Sequence, residues 1–135
     1  MSWLIDHTGV GVSDIVAASK FYHAALGTLG MHAVVRISET GALAQVADKI
    51  GGVGYGVTYP VYWIDIFHPS GARQHTAFRA NDRKTVNAFH AAALAAGGRD
   101  NGAPGLRTGE YPTGYYAAFV LDPDGNNIEA VYRER

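Results

Sequence analysis

The chain has 135 residues, 47% apolar and 17% charged, enough to bury one core and too short for two independent ones. Its 11 basic and 12 acidic side chains leave a formal charge of −1, with no like-charge run beyond Arg83-Lys84, which argues against a nucleic-acid groove or an anionic-membrane surface as partner. Cysteine is absent, so disulfides, thiolate metal sites and cysteine nucleophiles are excluded, and any metal must bind nitrogen or oxygen.

The amino end lacks the basic and apolar segments of a signal peptide, and no stretch reaches membrane-spanning length, so a cytoplasmic protein is expected. A first strand is expected over residues 7–12, where small residues alternate, followed by a cap at Ser13-Asp14. The helix after it carries apolar Ile15, Ala18, Tyr22, Ala25 and Leu29 at helical spacing, and Gly27 and Gly30 mark its stop. Strand-like segments follow at 33–37, 52–57 and 61–67. Residues 38–49 read as loop, with 42–47 open between a strand and a turn of helix. The plan then recurs: a strand over 75–79, a cap at Asn81 or Asp82, and a helix bearing Val86, Phe89, His90, Ala93 and Leu94 that ends at Gly97-Gly98. Residues 100–112 read as loop, and strands are expected at 115–121 and 128–133. Between these last two, Asp122-Pro123-Asp124-Gly125-Asn126-Asn127 supplies the fixed and positive φ angles of a tight reversal.

This recurrence is a self-match at an offset of 68 residues: His7-Thr8 falls on His75-Thr76, Asp14 on Asp82, Phe21 on Phe89, Ala24-Ala25-Leu26 on Ala92-Ala93-Leu94, and Gly30 on Gly98. An internal repeat decides architecture more strongly than local propensity does. The reading is one α+β domain spanning 1–135, made of two βαβββ repeats at about 3–68 and 73–135. Their paired, curled mixed sheets are each covered on one face by a helix, and the remaining faces meet or enclose a central cleft.

At His7-Thr8-Gly9-Val10-Gly11-Val12-Ser13-Asp14, Phe21-Tyr22, Ala25-Leu26-Gly27, His75-Thr76-Ala77-Phe78 and above all 119–129, where Asp-Pro-Asp-Gly-Asn leads into Ile128-Glu129, the sequence resembles the vicinal-oxygen-chelate superfamily of glyoxalases, bleomycin-resistance proteins and extradiol dioxygenases. The resemblance covers nearly the whole chain. It implies four inward positions around a divalent metal, one each from the first and last strand of each repeat, and carries over to His7, His75 and Glu129. The fourth position falls in 61–67. Aligning Tyr62-Trp63-Ile64 with Ile128-Glu129-Ala130 puts Trp63 there, with Asp65 on the same face one step further along, whereas the 68-residue offset pairs Val61 with Glu129. In the last strand, Glu129, Val131 and Arg133 are expected to face the cleft and Ile128, Ala130 and Tyr132 the helices.

Two imidazoles and a carboxylate suit zinc, iron, nickel, cobalt or manganese and leave positions open for two adjacent substrate oxygens. Glu129 has a second possible role, as the catalytic base. The implied activity is a metal-dependent lyase, isomerase or dioxygenase acting on a small molecule. The alternative is a metal-free binding protein of the bleomycin-resistance type, which Trp63 in a ligand position would favour. A single strand-end histidine is more often satisfied by hydrogen bonds than a ligand. Trp63, Tyr111 and Tyr116 are expected to shape the pocket, although such residues are more often sheet core, and Arg107 lies in a loop able to meet an anionic substrate. Tyr115 and Tyr116 adjoin on one strand, so only one of them lines the cleft. His23, His32, His68 and His90 read as structural or solvated. Gly51-Gly52-Val53-Gly54 lacks the helix and lysine of a phosphate loop. The resemblance also implies a homodimer whose repeats pair across subunits.

Overall fold

The computed structural model describes residues 5–134; the expected domain limits at 1, 3 and 135 lie outside them. In chain order the elements are β1 (Thr8–Gly11), α1 (Ile15–Gly27), β2 (His32–Ser38), β3 (Ile50–Gly56), β4 (Tyr62–Asp65), β5 (His75–Arg79), α2 (Arg83–Ala95), β6 (Arg99–Leu106), β7 (Tyr115–Leu121) and β8 (Asn127–Arg133). Both ends of α2 lie 68 residues beyond those of α1, as the repeat requires. Each helix starts where an aspartate caps it. The Asp14 side chain accepts from Val16 N and Ala17 N at 3.0 and 3.1 Å, and that of Asp82 accepts from Thr85 N at 2.7 Å, satisfying amide groups that have no partner within the helix. Beyond the helices, Gly30 (φ 82°) and Gly97 (φ 104°) take left-handed conformations that redirect the chain into the next strand.

The strands form two four-stranded mixed sheets of matching order, β1-β4-β3-β2 and β5-β8-β7-β6. In each, the first and last strands of a repeat pair in parallel (β1 with β4, β5 with β8) and the other neighbours are antiparallel. One core runs through both halves. Val10, Val53, Tyr55, Tyr62 and Ile64 of the first sheet and Tyr116, Ala118, Val120, Ile128 and Ala130 of the second close over Phe21, Tyr22, Leu26, Val86 and Phe89 from the helices. Burying each large apolar side chain contributes about 1.5–3 kcal/mol. The helices α1 and α2 also pack on each other. Because both helix-covered sides merge into this core, the sheets do not close on one another within the chain, and each keeps one free face.

The 122–127 reversal fastens the halves together. The buried Asp122 carboxylate accepts from Asp124 N, Asn126 N and Asn126 Nδ2 within its own turn and from the Tyr22 hydroxyl of α1 at 2.6 Å. Burial, followed by the neighbouring Tyr62 phenol and then the Asp122 charge and hydrogen bond, holds the Tyr22 phenol well above its ordinary pKa. Asp124 receives Ser13 N on both carboxylate oxygens at 3.2 Å. The motif that carries the family resemblance is thus a clamp between the second repeat's hairpin and the first repeat's helix.

Two segments depart from the sequence reading. Residues 99–106 form an edge strand where loop was expected from 100 onward. Gly102, Pro104 and Gly105 hide the strand pattern, and the register with β7 shifts on either side of Gly102, the irregularity an edge strand tolerates. In 42–47, only Leu43 bridges, to Ile37.

Candidate functional site

Pairing register decides which side chains reach the free face of the second sheet. On β7 and β8, Tyr115, Ala117 and Val131 pack together with Phe119 on the side away from the helices, and Phe119 sits directly opposite Glu129. Glu129 therefore lies on the free face, yet it is only 2% exposed because its neighbours enclose it. The Tyr115 hydroxyl donates to Glu129 Oε2 in a short hydrogen bond. Burial and then that bond push the Tyr115 phenol up to about 12.

His75, at the start of β5, completes the group. Its Nδ1 lies 2.8 Å from the Asn127 carbonyl oxygen, which can only accept, so Nδ1 donates there and Nε2 is the ring atom turned toward Glu129. That Nε2 lies 3.2 Å from Glu129 Oε1. The ring stacks on Phe119 with centroids 6.5 Å apart, and half of the imidazole is exposed while the carboxylate is buried.

The first sheet presents a different surface. Its free face carries Gly9 on β1 and Gly52 and Gly54 on β3, with the large Trp63 side chain beside them. The indole lies across Gly54, where a Cβ would come within 2.9 Å of Cζ2 and Cη2; the glycine makes room for the ring. Gly9 pairs with Trp63 in β1–β4 as Ala77 pairs with Glu129 in β5–β8, so Trp63 occupies the position equivalent to Glu129. The 68-residue offset, which would have matched Val61, has slipped by two residues at this distance from the helices. A cavity of about 560 Å³ opens here, lined by His7, Gly9, Gly11, Trp63, Asp65 and Gln74 among others. The ring of His7 is braced like that of His75: its Nδ1 lies 2.6 Å from Asp6 Oδ1, which also accepts from the Tyr59 hydroxyl at 3.0 Å. The hydrogen bond from His7, then that from Tyr59, holds the Asp6 carboxyl below its usual range.

Of the expected ligands, His75 and Glu129 come together, whereas His7 and Asp65 line the cavity of the other sheet. Among the described residues no group of three or more His, Asp or Glu side chains converges. Asp65 is committed to its own turn, accepting from Phe67 N and His68 N and lying 2.9 Å from His68 Nδ1. Tyr116 requires correction. It faces α2, where its hydroxyl donates to Asn87, and adjacent Tyr115 takes the free face because neighbours on a strand point oppositely. Tyr111 sits at the rim, 5.0 Å from the Tyr115 ring, and the Arg107 guanidinium lies 5.3 Å from the Phe119 ring centre. Sequence reasoning saw that only one of Tyr115 and Tyr116 lines the face but chose Tyr116, and it passed over Phe119, Asp6 and the contact of Arg133 with the Tyr115 ring. The only available signal was alternation, and it is silent in the unbroken apolar run 115–121.

Two βαβββ units, each a four-stranded mixed sheet covered by one helix, define the glyoxalase-type fold class. The chain belongs to the Glyoxalase/Bleomycin resistance protein/Dioxygenase superfamily, whose family model matches residues 4–130. Among solved structures it is similar to a glyoxalase/bleomycin resistance protein from Albidiferax ferrireducens T118, with 31% identity over 98% of this chain and 100% of that one and a TM-score of 0.72. Similarity in fold extends to a lactoylglutathione lyase from Agrobacterium tumefaciens (18% identity, 98% and 94% covered, TM-score 0.62) and to TioX from Micromonospora sp. ML1 (12%, 95% and 98%, 0.66). No curated protein matches the sequence.

Proposed function

We propose that this chain is a homodimeric, divalent-metal-dependent lyase, isomerase or dioxygenase acting on a small molecule with two adjacent oxygens. One observation supports the reading: His75 Nε2 and Glu129 Oε1 face each other at 3.2 Å while Asn127 and Tyr115 hold the opposite edges of the two groups. A nitrogen and an oxygen so placed can serve together as ligands to one metal ion. Backbone and side-chain partners that orient ligands in this way are the usual support of a metal site. His75 and Glu129 of one copy, with His7 of a second, would hold zinc, iron, nickel, cobalt or manganese, which supplies Lewis acidity to adjacent substrate oxygens. Tyr115 keeps Oε2 occupied and so leaves Oε1 as the working atom of Glu129. Trp63, on its glycine floor, offers a flat apolar surface to the body of the substrate.

A second reading, a bleomycin-resistance-type protein that binds a small molecule without chemistry, is favoured by Trp63 standing in register with Glu129. Calorimetric titration of the chelator-treated dimer with Zn²⁺, Co²⁺ and Mn²⁺ separates the two. The enzyme reading expects saturable binding that His75→Ala and Glu129→Gln each weaken at least about tenfold. Absence of binding, with ligand affinity preserved in His7→Ala, would establish the second reading instead.

A further inference from the structure

The His75–Glu129 pair is flanked by two arginines parked on aromatic rings. On one side, Arg107 lies over Phe119, the residue opposite Glu129 and stacked on His75. Its guanidinium is cradled: a Cβ at Gly102 would come within 3.2 Å of Nη2 and one at Gly105 within 3.4 Å of Nη1, while Nη2 donates to the Ala103 carbonyl at 2.7 Å. On the other side, Arg133 lies 5.6 Å from the centre of the Tyr115 ring, whose hydroxyl holds Glu129. Among the described residues neither arginine has a carboxylate within 4.0 Å, in contrast to Arg83, which pairs with Glu134. Arg99 adds charge to this sheet, directly opposite Leu121 on its edge strand. The acid on this face, Glu129, is already engaged by the Tyr115 hydroxyl and lies 3.2 Å from His75 Nε2.

A guanidinium held over a ring keeps N–H groups free for other partners, and its planar fork is suited to two oxygens of an oxyanion. Holding it in place in advance also lowers the entropy lost on binding. We propose that the substrate carries an oxyanion, the chemistry shared by carboxylates and phosphates, which Arg107 and Arg133 receive beside the His75–Glu129 pair. This rests on the metal-site reading for the position of the reacting oxygens, but the preference for negative charge does not need the metal.

The probes are 3,4-dihydroxybenzoate and its neutral isostere 3,4-dihydroxybenzamide, titrated calorimetrically into the full-length protein with and without Mn²⁺. The acid is expected to bind at least tenfold more tightly than the amide in both forms. The advantage should shrink as sodium chloride is raised and vanish in the double variant Arg107→Gln/Arg133→Gln, whose folding is checked by its urea midpoint. Inorganic phosphate displacing the acid would place the site with phosphates; acid binding undisturbed by phosphate would place it with carboxylates. Equal affinities, no saturable binding of the acid, or a preference that survives the double variant overturns the proposal. A chain that takes up no metal but still prefers the acid defeats only the metal-site reading. One that binds metal without preferring the acid defeats only this inference.

Discussion

If the metal centre is completed between two copies, variants that each lack one half should restore one another. His7→Ala removes the ligand on the first sheet, and Glu129→Gln removes the one on the second. These residues lie on different free faces, and no three ligands converge among the described residues, so each variant dimer alone should bind almost no metal. In a mixed dimer, the intact His7 of the Glu129→Gln copy meets the intact His75 and Glu129 of the His7→Ala copy. That makes one good site, while the other site is doubly broken. Random mixing yields half heterodimers, so metal content should recover to about one quarter of the wild-type value. Refolding the two variants together, verifying heterodimers by native mass spectrometry and measuring bound Co²⁺ from its visible absorption reads this number directly. Heterodimers that form but bind no metal would refute the shared-site reasoning, as would a His7→Ala dimer that keeps full occupancy.

Four further outcomes follow from the geometry. Tyr22→Phe deletes a buried hydroxyl bonded to the Asp122 carboxylate at 2.6 Å and should cost about 2 kcal/mol in urea unfolding. Tyr62→Phe, by contrast, removes a buried hydroxyl that makes no hydrogen bond among the described residues and should be neutral within about 0.5 kcal/mol or stabilising. Burial is the first cause raising the phenols of Tyr22, Tyr55 and Tyr62 above the ordinary value of 10.0. The fold therefore favours their neutral forms, and that stability is fully present below the unfolded-state pKa and lost as pH rises through the folded ones. Urea midpoints should hold near pH 8 and fall above about pH 10, and a midpoint unchanged at pH 11 would contradict this. Gly54→Val would drive a side chain into the Trp63 indole and Pro60, costing about 1–3 kcal/mol. In a Trp3→Phe background it should shift Trp63 emission, and an unaltered spectrum would show that the ring does not rest on Gly54.

Much of the architecture was legible in the one-dimensional pattern because it rests on local chemistry. Aspartate caps, helical spacing of apolar residues, stop glycines and a self-match at 68 residues are each written within a few turns of chain, and their repetition identifies two equivalent units. The self-match also sets His7 on His75, whereas Glu129 was singled out by the family resemblance. Facing was legible only where a strand alternates, as in 128–133, and of the two registers open for 61–67 only strand pairing chose one. The apolar run 115–121 does not alternate, so only its pairing with β8 reveals that Tyr115, and not Tyr116, joins Glu129. The parallel registers of β1–β4 and β5–β8 place Trp63 opposite Gly9 as Glu129 stands opposite Ala77, a match that loops of unequal length conceal in a fixed offset. Whether the sheets would close on each other was also beyond the sequence, because that depends on how two helix-covered surfaces merge into one core. Local propensity and repetition determined the elements, while long-range packing decided which side chains share a face and left His7 on one sheet and the His75–Glu129 pair on the other.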